Sequence, residues 1–585
     1  METYTVTILP ENIHATAEEN ATLKKVFTEN GIKFEFPCGG MGKCKKCKVK
    51  IVKGNSSEEV LACQFKVTED VIVEIPKKEQ KYEILSEGVE RKVVLDPLVK
   101  KRYLDLPLPS LEDNRDDWDR LRGNIGLKPS LKVLRELPER IRESNFKVTV
   151  VTWEDEVLAV EKGDTRREIL GMAFDIGTTT IAGYLINLST GSEIARVSAL
   201  NPQTKYGADV ISRINLASET PDGLEKLHAE VINEINNLID KALSGTDFKR
   251  EDIYAVTIVG NTTMQHLFLK VQPKHLALAP YVPVFSEPMV VDAAELGINI
   301  NPNGKVFTLP NIAGFVGADT VGAALACEMD KYDDLRLLID IGTNGEMVLG
   351  TKERLFACST AAGPAFEGAH IACGMRGATG AIDHAKIDGE IKYTVIGGVE
   401  PVGICGSGLL DIVAELLKVG VVDKKGRILK PEELSGEGEI YKDRIREING
   451  IRAFIIEENT PTGQPVYINQ KDIRELQLAK GAIAAGIEIL LNTFGAKVKD
   501  IKEVFLAGAF GNYLKPESAC KIGLIPPELE GRIKPVGNAA GTGAKLALVS
   551  EKEYERALAL SRKIHYIELS AVSEFSRIFA KKIEF

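Results

Sequence analysis

The sequence predicts a multidomain α/β protein in four parts. These are a small β-rich domain over 1–77, a linker over 78–124, a small α+β domain over 125–170 and a large, internally duplicated α/β domain over 171–585. Three features predict it. A glycine-rich loop with three cysteines, "FPCGGMGKCKKC" (36–47), lies between stretches that alternate apolar and polar residues. A charged tract strewn with prolines follows. An apolar run ending in Asp-Ile-Gly-Thr then occurs twice, at Asp175–Thr178 and Asp340–Thr343, each time in a strand–turn–strand setting.

The totals narrow the classes. At 585 residues the chain exceeds what one hydrophobic core supports. A net charge of −10 argues against nucleic acid as the main partner. The start, "METYTVTILPENIHA", has no basic segment leading into an apolar one, so no signal peptide is read there. No apolar run is long enough to cross a bilayer, so no membrane association is expected. The nine cysteines form no disulfide-like framework, which suits a reducing compartment, and a cytoplasmic location is expected.

In the first domain "TYTVTIL" reads as a strand, "ATLKKVFTENG" as a short helix ended at Asn30-Gly31, and "CKVKIV" and "VIVEIP" as strands. Cys38, Cys44, Cys47 and Cys63 are spaced C-x5-C-x2-C-x15-C. Thiolates are the soft ligands an iron–sulfur cluster needs, and a [2Fe–2S] centre takes four. Gly39, Gly40 and Gly42 permit positive φ and close backbone approach, so amides can point at sulfur. Lys43, Lys45, Lys46 and Lys48 place positive charge beside an anionic centre or an acidic redox partner. A four-cysteine zinc site is the alternative, although zinc commonly uses two C-x2-C pairs and only Cys44 and Cys47 form one. "CGGMGKCKKC" followed by "LACQ" resembles the [2Fe–2S] ferredoxins of the β-grasp fold, with one residue more than the plant-type C-x4-C spacing.

The tract over 78–124 reads as linker with short helical pieces. "LKVLRELPERIRE" then reads as a helix and "KVTVVTWEDEVLAVEKG" as two strands of the small domain. In each copy of the repeat an apolar strand ends at an aspartate, Asp175 or Asp340, placed to hold Mg²⁺ through water or to orient a nucleophilic water. The turn residues Gly177, Thr178, Thr179 and Thr180, and their counterparts Gly342, Thr343, Asn344, Gly345 and Glu346, offer amides and hydroxyls to phosphate oxygens. Two facing copies would clamp a polyphosphate from both sides. "AGFVGADTVGAALAC" (313–327) reads as a helix with a small-residue face, and "GNAAGTGAKLAL" (537–548) as a second such helix start. "VFLAGAFGNYL" (504–514) reads as a strand running into a turn, with Gly508, Ala509 and Phe510 as a seat for adenine and ribose. "VGICGSGLLD" (402–411) is a helix start at which Gly406, Ser407 and Gly408 either touch the ligand or pack on the sheet. This order resembles the ASKHA superfamily of acetate and sugar kinases, heat-shock chaperones and actin, which implies ATP as ligand.

The combination of a cysteine loop with "DIGTTT", "VGNTTM", "DIGTNGE", "AAGPAFEGA", "CGSGLLD" and "LAGAFGN" resembles the reductive activators of corrinoid proteins over nearly the whole chain. That resemblance implies a [2Fe–2S] cluster, ATP and Mg²⁺ as cofactors. It implies the Co(II) form of a corrinoid protein and a low-potential electron donor as partners, and a homodimer. Three alternatives stand beside it: a small-molecule kinase, an iron–sulfur activator of a dehydratase or reductase, and a redox adaptor that only senses nucleotide. His266 reads as a core histidine, Glu367 and His370 as cleft or domain-interface residues, and Cys327, Cys358, Cys373, Cys405 and Cys520 as small buried residues.

Overall fold

The computed structural model describes residues 3–585 apart from 10–12, 31, 33, 35, 37–39, 41, 43–46, 54–55, 76–90, 92 and 124–125, and apart from the side chains of Lys53, Ser56, Pro364, Ala509 and Asn512. Its first domain holds β1 (Thr3–Leu9), β2 (Ile13–Glu18), α1 (Leu23–Glu29), β3 (Lys48–Lys53), β4 (Ser56–Leu61) and β5 (Val71–Glu74). The sheet order is β2-β1-β5-β3-β4, with β1 and β5 parallel and the other pairs antiparallel. Alternation turns Val6, Ile8, Val49, Ile51, Val71 and Val73 inward, against Leu23, Val26 and Phe27 of α1. Thr22 caps that helix by accepting from Lys25 N at 3.3 Å. Two strands escape the sequence reading, because β2 buries only Ala15 and Ala17 and β4 is mostly polar. The core is self-contained: the apolar cluster runs from Tyr4 to Ile75 and includes no later residue.

The second unit comprises β6 (Val99–Asp105), α2 (Asp117–Arg122), β7 (Lys128–Pro129), α3 (Leu131–Glu143), β8 (Lys147–Trp153) and β9 (Glu156–Lys162), in sheet order β6-β8-β9-β7. Val133, Leu137 and Ile141 form the buried stripe of α3 at the 4-residue spacing a helix requires. The expected linker is corrected here. From Val99 to Asp105 the chain is a strand paired with β8 along its length, and α2 lies beside α3. The partner strand follows more than forty residues later, beyond the reach of local pattern. Residues before β6 are docked as well: Asp96 N donates to Val549 O at 2.9 Å, and the Arg91 guanidinium donates to Leu325 O at 3.1 Å and pairs with Glu328 and Glu553. Leu98, Val99, Val151 and Ile169 share one apolar cluster with Tyr254, Phe307 and Ala547 of the large domain.

The large domain has two halves of one plan. The first holds β10 (Leu170–Ile176), β11 (Thr180–Asn187), β12 (Glu193–Leu200), α4 (Val210–Glu219), α5 (Gly223–Leu243), β13 (Ile253–Gly260), α6 (Thr262–Phe268), β14 (Val290–Asp292), β15 (Lys305–Thr308) and α7 (Ala318–Ala326). The second begins with β16 (Arg336–Ile341), β17 (Gly345–Gly350) and β18 (Leu355–Thr360). It continues through β19 (Ala381–Ile387), β20 (Ile391–Val395), β21 (Gly403–Ile404), α8 (Gly406–Lys418), β22 (Ile445–Ile448), β23 (Ile451–Glu457), β24 (Val466–Asn469) and α9 (Gln470–Phe494). It ends with β25 (Glu503–Ala507), α10 (Gly508–Tyr513), α11 (Pro516–Lys521), β26 (Ile533–Gly537), α12 (Ala539–Val549), α13 (Glu551–Lys563), β27 (Ile564–Tyr566) and α14 (Phe575–Lys582).

The sheets read β12-β11-β10-β13-β15-β14 and β26-β25-β16-β17-β18-β27. In both, an antiparallel meander of three strands continues into parallel strands through its first member, β10 or β16. The repeat in the sequence is therefore a repeat of topology. The halves meet where α7 crosses α12, and the contact is backbone on backbone: a Cβ at Gly543 would lie 2.2 Å from Gly322 O. Only glycine admits that approach. The helix expected over 313–327 is shorter than its small-residue pattern, starting at Ala318 after Gly317. The turn expected after β25 is the short helix α10. Among the described residues no helix is long and apolar enough to cross a membrane.

Candidate functional site

A cleft of about 250 Å³ lies between the two halves. From the first hairpin it is lined by Asp175, Gly177, Thr178, Thr179 and Thr180, and from the second by Asp340, Gly342, Thr343, Asn344 and Glu346. Gly406, Ser407, Gly508 and Phe510 complete the lining foreseen from sequence. Gly345 and Gly408 are corrected. A Cβ on Gly345 would meet Ile483 and Thr360, and one on Gly408 would meet Ile382 O at 2.2 Å, so both glycines serve packing. The side chain of Ala509 lies outside the described residues.

The first hairpin is held from behind. Asn201 Nδ2 donates to Gly177 O at 2.8 Å, Arg213 Nη2 donates to Thr178 O at 2.5 Å, and Asn201 N donates to Thr179 O at 2.8 Å. A trans peptide points its N–H opposite to its C=O. With these carbonyls drawn into the body of the first half, the amides of Thr178 and Thr179 are directed the other way. The amides are thus oriented by anchoring the carbonyls behind them, a different origin from glycine freedom alone. The glycine amides themselves close the turns, Gly177 N on Thr180 O and Gly342 N on Asn344 O. Arg213 is fully buried and also holds Gly207 O and Gln203 Oε1. Burial pulls its pKa down, against the nearby charges of Asp209 and Glu367. Neither Asn201 nor Arg213 carries a motif signal, since each acts through a fold-dependent contact.

The floor is acidic. Asp175 accepts from Asn538 Nδ2 at 2.9 Å, and Asn538 in turn caps α12 by accepting from Gly541 N. Asp319 sits in the first turn of α7 and accepts from Thr320 N at 2.7 Å. Sequence reasoning passed over Asp319, because the small residues around it read as helix packing. Burial and then the charge of Asp319 push Asp175 up to about 7, and burial pushes Asp319 up to about 6. Asp340 is pushed up to about 8 by burial and then by Asp319 and Asp175, and Glu346 is raised well above the ordinary carboxyl value, again mainly by burial. Among the described residues no three His, Cys, Asp or Glu side chains converge closely enough to hold a metal directly.

These shifts have a definite sign. Folded carboxyls titrating above their unfolded value of about 4 take up protons on folding. The stability they lend is complete below about pH 4 and is lost as pH rises from there through the folded values, about 6 to about 8. Without divalent cation, wild type is expected to lose thermal stability relative to Asp340→Asn as pH rises from about 5 to about 8.5. Thermal midpoints of the two proteins across that range check it; a constant difference counts against a strained carboxylate floor.

Gly508 makes the floor possible. Its φ is +90°, and a Cβ there would lie 2.5 Å from Asp340 Oδ1. Gly508→Ala is expected to cost about 1–3 kcal/mol from the backbone alone and to displace Asp340. The calorimetric midpoint and ligand binding in the cleft should fall together.

At the front of the chain, the β3–β4 register sets Lys48 opposite Leu61, and Ala62 N donates to Cys47 O at 2.7 Å. This brings the buried thiols of Cys47 and Cys63 to 3.1 Å, far beyond a disulfide bond of about 2.05 Å. Gly40 and Gly42 have φ of +89° and +73°, and Gln64 Nε2 donates to Gly40 O at 3.3 Å and lies 3.8 Å from Cys63 Sγ. Paired soft ligands, positive-φ glycines and an amide turned to sulfur fit an iron–sulfur centre. Cys38 and Cys44, with Lys43, Lys45 and Lys46, lie outside the described residues. Lys48 is committed to Glu59 at 2.6 Å.

Other readings resolve simply. His266 is buried: its Nδ1 donates to Thr262 O at 2.7 Å and its Nε2 accepts from Val284 N at 3.0 Å. His370 is exposed. Glu367 faces the cleft. Cys327, Cys358, Cys405 and Cys520 are buried and Cys373 half-buried.

A duplicated ASKHA domain joined to a [2Fe–2S] ferredoxin domain is the class that this fold and these sites define. Family models agree along the chain: a 2Fe-2S iron-sulfur cluster binding domain at 6–68, the RACo linker region at 88–167, the RACo middle region at 170–332 and the C-terminal ASKHA domain of RACo at 334–585. In that division the four-stranded sheet falls in the linker region, and the two halves are separate segments. The corrinoid activation enzyme RamQ of Eubacterium limosum is 36% identical over 97% of this chain and 96% of its own. A solved reductive activator for corrinoid, iron-sulfur protein matches 100% of this chain and 98% of its own, with 36% identity and a TM-score of 0.77. The [Co(II) methylated amine-specific corrinoid protein] reductase of Methanosarcina barkeri is 25% identical over 67% of this chain and 72% of its own. The chain belongs to the RACo family.

Proposed function

We propose that this chain is an ATP-dependent reductive activator, delivering one low-potential electron to the Co(II) form of a corrinoid methyltransfer protein and so restoring Co(I). The observation that carries the reading is the union of a cysteine loop and a two-hairpin carboxylate cleft on one chain, similar from end to end to a corrinoid activation enzyme. Held by Cys38, Cys44, Cys47 and Cys63, a [2Fe–2S] cluster supplies one-electron redox chemistry.

In the cleft, the amides of Thr178 and Thr179 and the hydroxyl of Thr343 bind phosphate oxygens. The carboxylate floor is an all-oxygen donor set, which suits Mg²⁺ held through water by Asp175, Asp319 and Asp340. Asp340 or Asp175, once deprotonated, orients the water that attacks the terminal phosphate. Gly406, Ser407, Gly508 and Phe510 receive the nucleoside. Reducing Co(II) is uphill, and nucleotide drives it only by binding two states of the protein unequally. Closure of the halves across the α7–α12 crossing is the bistable element. The protein takes its electron from a low-potential donor and works as a homodimer in the cytoplasm.

The test is anaerobic mixing of the reduced protein with a Co(II) corrinoid protein, following Co(I) absorbance. Co(I) should form with ATP and stay absent with ADP. ADP release with an acid or sugar acceptor, and no Co(I), would replace this reading by a kinase.

A further inference from the structure

One carboxylate joins the two hairpins. Thr179 Oγ1 donates to Glu367 Oε2 at 2.8 Å, and Thr343 Oγ1 donates to Glu367 Oε1 at 2.7 Å. Thr179 belongs to the first half and Thr343 to the second, so Glu367 spans the cleft at the hairpin tips. A threonine hydroxyl carries a single proton. Donation to Glu367 and donation to a phosphate oxygen therefore exclude each other, and the carboxylate repels an incoming anion as well.

The segment bearing Glu367 touches several elements around the cleft. The one-turn helix Pro364–Glu367 is flanked by Gly363 and Gly368, with φ of +78° and +73°. Phe366 stacks on Phe510 with ring centroids 4.8 Å apart, and a Cβ on Gly406 would lie 1.8 Å from Phe366 O. Further on, Ala372 N donates to Asp472 Oδ1, in the first turn of α9, at 2.8 Å. A shift of Glu367 thus reaches the starts of α8, α9 and α10.

We propose that Glu367 is a tether between the two hairpins that the terminal phosphate of a nucleoside triphosphate displaces and that a nucleoside diphosphate leaves in place. The inference rests on the reading that this cleft takes ATP. A nucleotide with its nucleoside toward Phe510 presents its phosphates to the hairpins. The triphosphate competes for the two hydroxyls with one more phosphoryl group and more negative charge. Glu367 is a positioning residue here: it sets the preference for ATP over ADP and couples that preference to α8 and α9.

The test compares binding of ADP and of the β,γ-imido analogue of ATP to the full chain by calorimetry. Glu367→Ala should raise affinity for the analogue relative to ADP by about tenfold, the scale of lost competition from a charged hydrogen bond. Glu367→Gln, which retains one acceptor oxygen, should fall between. Thr343→Val, which cuts the tether from its other end, should abolish most of the further effect of Glu367→Ala in the double variant. An unchanged analogue-to-ADP ratio in folded Glu367→Ala overturns the proposal, as does a loss of turnover without a change in that ratio. Failure of the cleft reading looks different: Asp340→Asn would then leave binding of both nucleotides in the presence of Mg²⁺ unaltered.

Discussion

Replacing Asp340 with asparagine is expected to lower ATP turnover by about 10²–10³-fold, the scale of removing one electrostatic group from a preorganised site. The side chain keeps its shape, so the close approach of Gly508 is undisturbed. What changes is charge. Asp340 shares the floor with Asp175 and Asp319, and burial with their repulsion holds its proton up to about 8. The neutral amide relieves that repulsion, so at about pH 8 the variant should be at least as stable as wild type while its catalysis collapses. Loss of turnover with a preserved or raised thermal midpoint separates chemistry from folding. The apparent Mg²⁺ requirement should rise as well, because one anionic anchor for the hydrated cation is gone. Turnover within threefold of wild type would remove Asp340 from the mechanism.

Cys47→Ser is expected to abolish the visible absorbance of the [2Fe–2S] centre and, with it, Co(II) reduction, while nucleotide binding stays within twofold. Cys47 is 1% exposed and its thiol lies 3.1 Å from that of Cys63. A serine hydroxyl is a hard, protonated donor where a soft thiolate is required. The nucleotide cleft should not feel the change, since the apolar cluster of the first domain ends at Ile75 and the cleft is built wholly from Asp175 onward. Absorbance and Co(I) formation measured beside nucleotide calorimetry check both halves of the statement. A variant that retains the chromophore would exclude Cys47 as a ligand. One that loses nucleotide affinity would mean that the domains are energetically coupled without nucleotide turnover.

Much of the cleft was legible because its chemistry is local. An apolar strand ending in aspartate, followed by glycine and threonine, encodes both the turn and the acid, and the repetition at Asp340 encodes the second half. The linker was misread for the opposite reason. Val99–Asp105, "VKKRYLD", is polar on its exposed positions, and it becomes a strand because β8 is there to pair with it. Gly345 and Gly408 look like their neighbours in the motif, yet a side chain from α9 and a strand carbonyl respectively fill the space beside them.

By itself the sequence determined the two chemistries of this protein: soft thiolates spaced for a cluster, and paired Asp-Ile-Gly-Thr hairpins for a polyphosphate. Those follow from residue type and short-range spacing, which need no partner. Only the tertiary structure decided how the hairpins work. Asn201 and Arg213 tie back the carbonyls of the first hairpin, Asp319 arrives on α7 to raise the proton affinity of the floor, and Glu367 reaches across from the second half to bind both tips. Each of these acts through a contact between elements distant in the chain, and such contacts exist only once the two sheets have closed on a common cleft.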